Sequence, residues 1–335
     1  MKILIKVVLI FFFVSCKVEE HKNCKDFYGG SLTLVFTGSY KTIYPSLLND
    51  LVSLNIASLV HSPLVIIDPI TMQPMPALAK NWKADSNYTI WTFYLNTNSY
   101  FNEDKCFKSK KNRKVKITDV YYTFKLLCLD TINNLYINVL EKLIKGAEFK
   151  DEKNIGIKIV NDSTITFYLK KSEPLFIYKI SSPIYSIISE QAHKEYGTKL
   201  YVGAGPYRIT DFENDKSPFV LVKNYDYFLK DEENNCLPYI DTLFIYTNLQ
   251  FNEQIEMFRN KKIDIWLNLN DEMISYLVSE FKNFFVGEQA PYKVLSINPT
   301  DAAQATLKYI IKSNIKDFYI NYQNLIYLTN AKKSN

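Results

Sequence analysis

Apolar residues alternate with polar residues over several short stretches of the chain, a pattern typical of half-buried β-strands. In residues 31–37, Leu32, Leu34 and Phe36 fall on one face, and residues 88–95 alternate in the same way. The pattern predicts further strands at 64–68, 155–160, 163–170, 219–224, 242–248 and 263–266. Residues 203–212 predict a turn that leads into another strand.

Apolar residues spaced three and four apart predict helices between these strands. The predicted helices lie at 46–60, with Ser46 as the cap, at 117–129, with Thr118 as the cap, within 183–196 and at 252–262, while 77–82 predicts a short turn or helix. Asn161 and Asp162 predict a hairpin turn between two strands. The mixture predicts an α/β fold of the α+β type with a mixed sheet.

The N-terminus resembles a bacterial secretion signal. Lys2 and Lys6 precede an uninterrupted apolar run at 7–14, which is too short to span a membrane. Ser15 and Cys16 resemble the cleavage site of bacterial lipoproteins, in which the cysteine is acylated. We therefore expect a signal peptide at 1–15, lipidation of Cys16 and a polar tether at 16–28. The alternative is secretion without acylation.

Composition indicates a globular protein. Of the 335 residues, 47% are hydrophobic, which suffices for one large domain or two smaller ones. The net charge of +5 is too small to indicate nucleic-acid binding. One basic run lies at Lys105, Lys108, Lys110, Lys111, Arg113, Lys114 and Lys116. It predicts either a solvated loop or a contact with anionic lipid or cell wall.

Cysteine and histidine show no metal-site spacing. Cys128 lies in an apolar helical stretch and is predicted to be a buried thiol, and a bridge between Cys106 and Cys236 is possible. His61 has apolar neighbours, so a structural imidazole is favoured over a metal ligand. No cofactor or metal is expected.

Six segments, in order, resemble the family 5 extracellular solute-binding proteins, the oligopeptide, dipeptide and nickel-binding components of ABC importers. The segments are 29–36 (GGSLTLVF), 74–96 (PMPALAKNWKADSNYTIWTFYLN), 117–127 (ITDVYYTFKLL), 163–189, 203–212 with 220–228 (GAGPYRITDF, VLVKNYDYF), and 237–248 with 255–266 (LPYIDTLFIYTN, IEMFRNKKIDIW). Four of only nine glycines, at 29, 30, 203 and 205, fall within them.

The resemblance implies a periplasmic-binding-protein-like class II lobe at 29–266. It also implies that 267–335 is a divergent or truncated start of a second lobe, which would be largely missing. The implied function is a lipid-anchored protein of the cell envelope, facing the periplasm or exterior, that binds an oligopeptide or similar small solute and delivers it to an ABC permease. No nucleic-acid partner is implied. The candidate ligand-binding residues are Thr37, Tyr40, Tyr44, His61, Ser62, Gly203, Gly205, Pro206 and Tyr207.

Two other hypotheses remain at this point. An enzyme is disfavoured because no GxSxG, HExxH or spaced Cys–His pattern occurs, so no catalytic residue is predicted. A truncated lipoprotein or gene remnant of the family, which binds nothing, is the second alternative.

Overall fold

The computed structural model describes residues 29–68, 71–129, 137–210, 218–231, 234–269, 271–280, 285–288 and 293–296. The predicted signal peptide, Cys16 and the tether therefore lie outside the described residues. Within these ranges the strands are β1 Ser31–Phe36, β2 Val65–Ile67, β3 Pro74–Pro76, β4 Ala79–Ala84, β5 Ile90–Leu95, β6 Ile157–Asn161, β7 Thr164–Tyr168, β8 Tyr207–Ile209, β9 Phe219–Lys223, β10 Thr242–Tyr246, β11 Ile265–Leu267, β12 Phe285–Glu288 and β13 Lys293–Ser296. The α-helices are α1 Leu51–Val60, α2 Ile117–Leu129, α3 Ile137–Leu143, α4 Phe176–Ile180, α5 Glu190–Tyr196, α6 Phe251–Arg259 and α7 Asp271–Glu280.

A mixed sheet of seven strands forms the larger layer of the described fold. Its order is β12-β13-β11-β1-β10-β9-β8. The central strand β1 pairs in parallel with both β10 and β11, whereas the outer pairs are antiparallel. The predicted α/β class with a mixed sheet is confirmed. The described parts of residues 271–296 extend this sheet through β12 and β13.

The alternation in β1 explains how the seven-stranded sheet is covered on both faces. Leu32, Leu34 and Phe36 belong to the main hydrophobic core, in which they are at most 2% exposed. Val35 points to the other face and packs in a smaller cluster with Trp266 and with side chains of α6 and α7. Because successive residues of a strand point to opposite faces, one strand contributes to both cores.

A second, antiparallel sheet has the order β4-β5-β7-β6. Trp91 and Phe93 of β5 point into the main core together with Phe167 of β7. The predicted hairpin at Asn161 is confirmed, since β6 ends at that residue and pairs with β7. The main core therefore runs continuously beneath both sheets. No helix of the described part is long and apolar enough to cross a bilayer.

Several element boundaries differ from the prediction. The turn or helix at 77–82 is wrong, because Ala79–Ala84 is strand β4 and pairs with β5. Helix α1 begins at Leu51 instead of residue 46, since the side chain of Asp50 accepts a hydrogen bond from the Ser53 amide and caps it. Thr118 lies inside α2, one residue after the helix begins.

Of the described cysteines, two have free thiols and one is disulfide-bonded. Cys128 is free and fully buried, as predicted, and burial raises the pKa of its thiol to about 12. Cys106 is also free, whereas Cys236 is disulfide-bonded. The structure therefore contradicts a disulfide between Cys106 and Cys236, which the sequence had left open.

Candidate functional site

Three parallel strands end at the same edge of the seven-stranded sheet. Strands β10, β1 and β11 lie side by side, and their carboxyl ends lead into residues 247–250, 37–44 and 268–269. In open α/β sheets, ligands bind in the crevice outside the carboxyl ends of such strands. This carboxyl edge, defined by Thr37, Gly38, Asn248 and Asn268, is therefore the candidate site.

Each of the three strand ends turns through a left-handed backbone conformation. The φ angles are 122° at Gly38, 59° at Asn248 and 63° at Asn268. Glycine and asparagine tolerate this conformation better than other residues. The amide of Asn248 donates to the carbonyl of Gly38 at 2.7 Å, which joins two of the turns. Gly38 and Asn248 are exposed, so the side-chain amide of Asn248 is open to a ligand at this edge.

Next to the carboxyl edge, the side chains of Trp266, Thr37 and Gln254 form a hydrogen-bond network. The indole Nε1 of Trp266 donates to Thr37 Oγ1 at 3.0 Å and to Gln254 Oε1 at 2.8 Å. The Thr37 hydroxyl donates to the same Gln254 oxygen at 2.9 Å. Trp266 is fully buried. Helix α6, which carries Gln254, is thereby fixed to the ends of β1 and β11.

The loop after β1 contacts both α1 and β9. The hydroxyl of Ser53, on α1, accepts hydrogen bonds from the amides of Lys41 at 2.8 Å and Thr42 at 3.3 Å. The half-buried ring of Tyr40 packs edge-on against Phe219, with a centroid distance of 4.7 Å. This loop is therefore anchored to α1 and β9 while its Gly38, Ser39 and Lys41 remain exposed.

Tyr44 closes the loop through a histidine bridge. Its hydroxyl lies 3.1 Å from Nε2 of His193, and the hydroxyl of Tyr122 lies 2.8 Å from Nδ1 of the same ring. Tyr44 is only 5% exposed. His193 thus links the loop after β1 to helix α2 from its position on α5.

The turn at 203–206 packs against the end of α1. The amide of Gly205 donates to the carbonyl of Val60 at 2.8 Å, and the carbonyl of Gly203 accepts from the amide of Asn102 at 2.6 Å. A Cβ atom on Gly203 would lie 2.6 Å from Nδ1 of His61. Because a side chain would overlap these groups, glycine is required by close packing at this turn.

His61 is fully buried beside that turn. Neither of its ring nitrogens has a hydrogen-bond partner among the described residues. Burial lowers the pKa of His61 to about 3, and the nearby backbone of Ile43 opposes only part of that shift. The imidazole is consequently neutral at physiological pH.

The remaining predicted residues surround the same buried junction. Ser62 is fully buried, and its carbonyl accepts from the amide of Ile187 at 2.9 Å. Pro206 is buried, and its carbonyl accepts from the amide of Asn224 at 2.8 Å. Tyr207 is fully buried, and its hydroxyl donates to the carbonyl of Ile240 at 3.1 Å.

The structure thus divides the nine predicted site residues into two groups. Thr37 and Tyr40 lie at or near the carboxyl edge, and Tyr44 ends the same loop. The others form the buried junction of α1 with the 203–207 turn: His61, Ser62, Gly203, Gly205, Pro206 and Tyr207. Sequence reasoning missed three residues: Asn248, which ends the strand predicted at 242–248, Asn268, which follows the strand predicted at 263–266, and Gln254, which lies in the helix predicted at 252–262.

Comparisons with known proteins agree with this architecture. The model of the bacterial extracellular solute-binding proteins, family 5, matches residues 73–312. The dipeptide-binding protein of Escherichia coli is 26% identical over 207 residues, which cover 55% of this chain and 36% of that protein. The periplasmic oligopeptide-binding protein OppA of Salmonella typhimurium is 21% identical, over 65% of this chain and 40% of that protein. This chain therefore spans about two fifths of the length of the curated relatives it matches.

Solved structures show the same fold. The periplasmic binding protein DppA from Helicobacter pylori, in complex with the peptide STSA, has a TM-score of 0.65 and 22% identity, and the match covers 79% of this chain and 51% of that one. A periplasmic oligopeptide-binding protein from Borrelia burgdorferi has a TM-score of 0.64 and 18% identity, over 86% and 59% of the two chains. The family match covers most of this chain and the fold agrees with it: the chain belongs to the family 5 bacterial extracellular solute-binding proteins.

Proposed function

We propose that this protein is the substrate-binding component of an ABC importer, which binds short peptides outside the cytoplasmic membrane and delivers them to a permease. The observation that carries the proposal is the family membership, together with a carboxyl edge of the kind at which open α/β sheets bind ligands. Relatives named as dipeptide- and oligopeptide-binding proteins support peptides as the ligand class.

The carboxyl edge suits an extended peptide because Gly38 and Asn248 are exposed there. Gly38 carries no side chain that would hold a peptide away, and the side-chain amide of Asn248 offers both a donor and an acceptor. Main-chain hydrogen bonds give affinity for an extended peptide whatever its side chains are. We assign direct ligand contacts to Thr37, Tyr40, Gly38, Asn248 and Asn268.

The buried junction has a supporting role in this proposal. His61, Ser62, Gly203, Gly205, Pro206 and Tyr207 are buried, so they act by holding α1 and the turn in register. Tyr44 contributes through its bond to His193, which fixes the far end of the loop. A ligand that binds one conformation better than another then shifts the population toward that conformation, which the permease recognises.

The lipid anchor is part of the same proposal. Acylation of Cys16 would attach the protein to the outer face of the membrane, where several acyl chains give stable attachment. The polar residues at 17–28 would then separate the folded part from the bilayer.

The test is calorimetry with the full chain, purified without denaturation, and a panel of di- to pentapeptides. We expect saturable binding with a Kd in the micromolar range or tighter. Free amino acids of the same composition serve as the control and should bind more weakly. Flat titrations across the whole panel would contradict the proposal and favour a family member that binds no peptide.

A further inference from the structure

The basic run found in the sequence forms one loop whose ends are joined by backbone hydrogen bonds. We call residues 103–116 the basic loop; it contains seven basic and two acidic residues. Its ends are joined, because the amide of Phe101 donates to the carbonyl of Arg113 at 2.7 Å and that of Val115 donates to Ser99 at 2.9 Å. These bonds fix the backbone from which the exposed lysines extend.

Aromatic packing fixes the interior of the basic loop. Phe107 is 8% exposed and stacks on the buried ring of Phe101, with centroids 6.3 Å apart and an interplanar angle of 13°. The hydroxyl of Tyr196 donates to Asp104 at 2.6 Å, and the side chain of Gln191 donates to the carbonyl of Cys106. Helix α5 therefore holds the acidic start of the loop in place.

Only some of the positive charges are neutralised within the fold. Lys110 and Arg113 both pair with Asp226, at 2.7 Å and 2.8 Å. Burial raises the pKa of Asp226, but hydrogen bonds and charge from these two residues outweigh burial and hold its pKa below the usual range. The carboxylate of Asp226 therefore neutralises part of the charge of Lys110 and Arg113.

The outer lysines form the remaining surface. Lys105, Lys108, Lys111 and Lys116 are exposed, and none of them forms an ion pair with a described residue. The acidic side chains on this side are Glu103 and Glu195, which are exposed, Asp104, which accepts from the Tyr196 hydroxyl, the buried Asp119, and Glu190, which pairs with Lys194 at 2.8 Å. The exposed side of the loop therefore has a net positive charge.

We propose that the exposed lysines of the basic loop contact the anionic headgroups of the membrane to which the protein is tethered, and so orient the protein on the bilayer. The choice of a membrane rests on the proposed export and anchor, because a tether of 12 residues reaches at most about 40 Å. Each lysine near an anionic bilayer contributes about 1 kcal/mol, and the contribution falls off within a Debye length of about 8 Å at physiological salt.

The test measures vesicle binding of the mature chain, residues 16–335, carrying Cys16→Ser, so that both the apolar signal segment and the acylation site are absent. Vesicles contain either phosphatidylcholine alone or equal parts of phosphatidylcholine and phosphatidylglycerol. We expect binding to favour the anionic vesicles and to weaken as salt is raised. The triple variant Lys105→Glu, Lys108→Glu, Lys111→Glu should lose that preference, with affinity falling by about 20-fold or more.

A matched triple variant controls for net charge. Lys153, Lys171 and Lys261 are also exposed and lie elsewhere on the chain, so reversing them changes the total charge equally. This control should retain most of the affinity for anionic vesicles. Equal losses in both variants, or no preference of the parent chain for anionic vesicles, would overturn the proposal. Equally tight binding to a soluble polyanion such as polyphosphate would overturn the membrane assignment.

Peptide calorimetry on the same variants separates this inference from the proposed function. The basic-loop variant should bind peptides as the parent does, because none of the three lysines lies at the carboxyl edge. Peptide binding without vesicle binding would reject only the membrane contact, and vesicle binding without peptide binding would reject only the proposed function.

Discussion

Gly203 packs so closely on the end of helix α1 that a Cβ atom at position 203 would lie 2.1 Å from the carbonyl oxygen of Val60. The contact involves backbone on both sides, so no flexible side chain can move away to relieve it. We therefore expect Gly203→Ala to lower the free energy of unfolding by about 3 kcal/mol or more, because backbone must shift to admit the methyl group. Urea unfolding followed by circular dichroism measures this.

Gly29→Ala is the matched control for that substitution. A Cβ atom at Gly29 would meet only the end of the Asp241 side chain, at 2.8 Å, and that side chain can rotate. The control should change the free energy of unfolding by less than about 1 kcal/mol. Equal effects at the two positions would show that close packing at the 203–206 turn is not what requires glycine there.

The neutral, buried His61 makes the fold sensitive to acid. Its pKa is about 3 in the folded state, against 6.5 for an unperturbed histidine, so the unfolded chain takes up the proton first as the pH falls. This contribution is fully present above about pH 6.5 and is lost progressively between about pH 6.5 and pH 3. At pH 5 the loss is about 2 kcal/mol relative to pH 7.5.

The variant His61→Asn measures how much His61 contributes to this pH dependence. Asp119 opposes it, because burial raises the pKa of Asp119 to about 6 and its protonation stabilises the fold as the pH falls below 6. Asp119 acts in both proteins, so the difference in pH dependence between the parent and His61→Asn reports His61 alone. Between pH 7.5 and pH 5, we expect the variant to lose about 2 kcal/mol less of its free energy of unfolding than the parent loses. Parallel pH profiles would contradict the burial of a neutral imidazole.

The network of Trp266, Thr37 and Gln254 should contribute to stability beneath the carboxyl edge. Gln254→Met removes the oxygen that accepts from both Trp266 Nε1 and the Thr37 hydroxyl. Because Trp266 is fully buried, we expect a loss of about 1–3 kcal/mol in the free energy of unfolding. The same change at the exposed Gln73 should cost less than about 0.5 kcal/mol, and a similar loss at both positions would argue against the network.

Peptide binding at the carboxyl edge should depend on the two asparagine side chains. Asn248→Gly and Asn268→Gly remove the amides yet keep residues that adopt the left-handed conformation found there. We expect the double variant to bind peptides about 10-fold more weakly or worse, because hydrogen bonds to the ligand are lost. A matched change at Asn234, which also has a positive φ of 68°, should leave affinity unchanged. Unaltered binding by the double variant would place the ligand elsewhere.

Local patterns predict strands well where both the pattern and the pairing are local. The period-two alternation gives β1 and β5, and Asn161 marks the hairpin between β6 and β7. Strand β4 was predicted as a turn or helix because Ala77, Leu78 and Ala79 favour helix. Its strand conformation comes from pairing with β5, which involves tertiary structure.

The candidate site was less predictable because it depends on contacts between distant residues. Gly38 and Asn248 meet only because β1 pairs in parallel with β10, more than 200 residues later in the chain. The buried positions of Tyr207 and His61 are set by the close packing of the 203–206 turn on α1. Sequence patterns identify the glycines of that turn but not the helix end against which they pack.

Native mass spectrometry of the full chain, exported and purified without refolding, tests most directly whether this protein is a peptide-binding protein. We predict adducts with the masses of short peptides, which disappear after denaturation and refolding and return when a binding peptide is added. Ligand-free spectra before and after addition of the whole peptide panel would contradict the central claim.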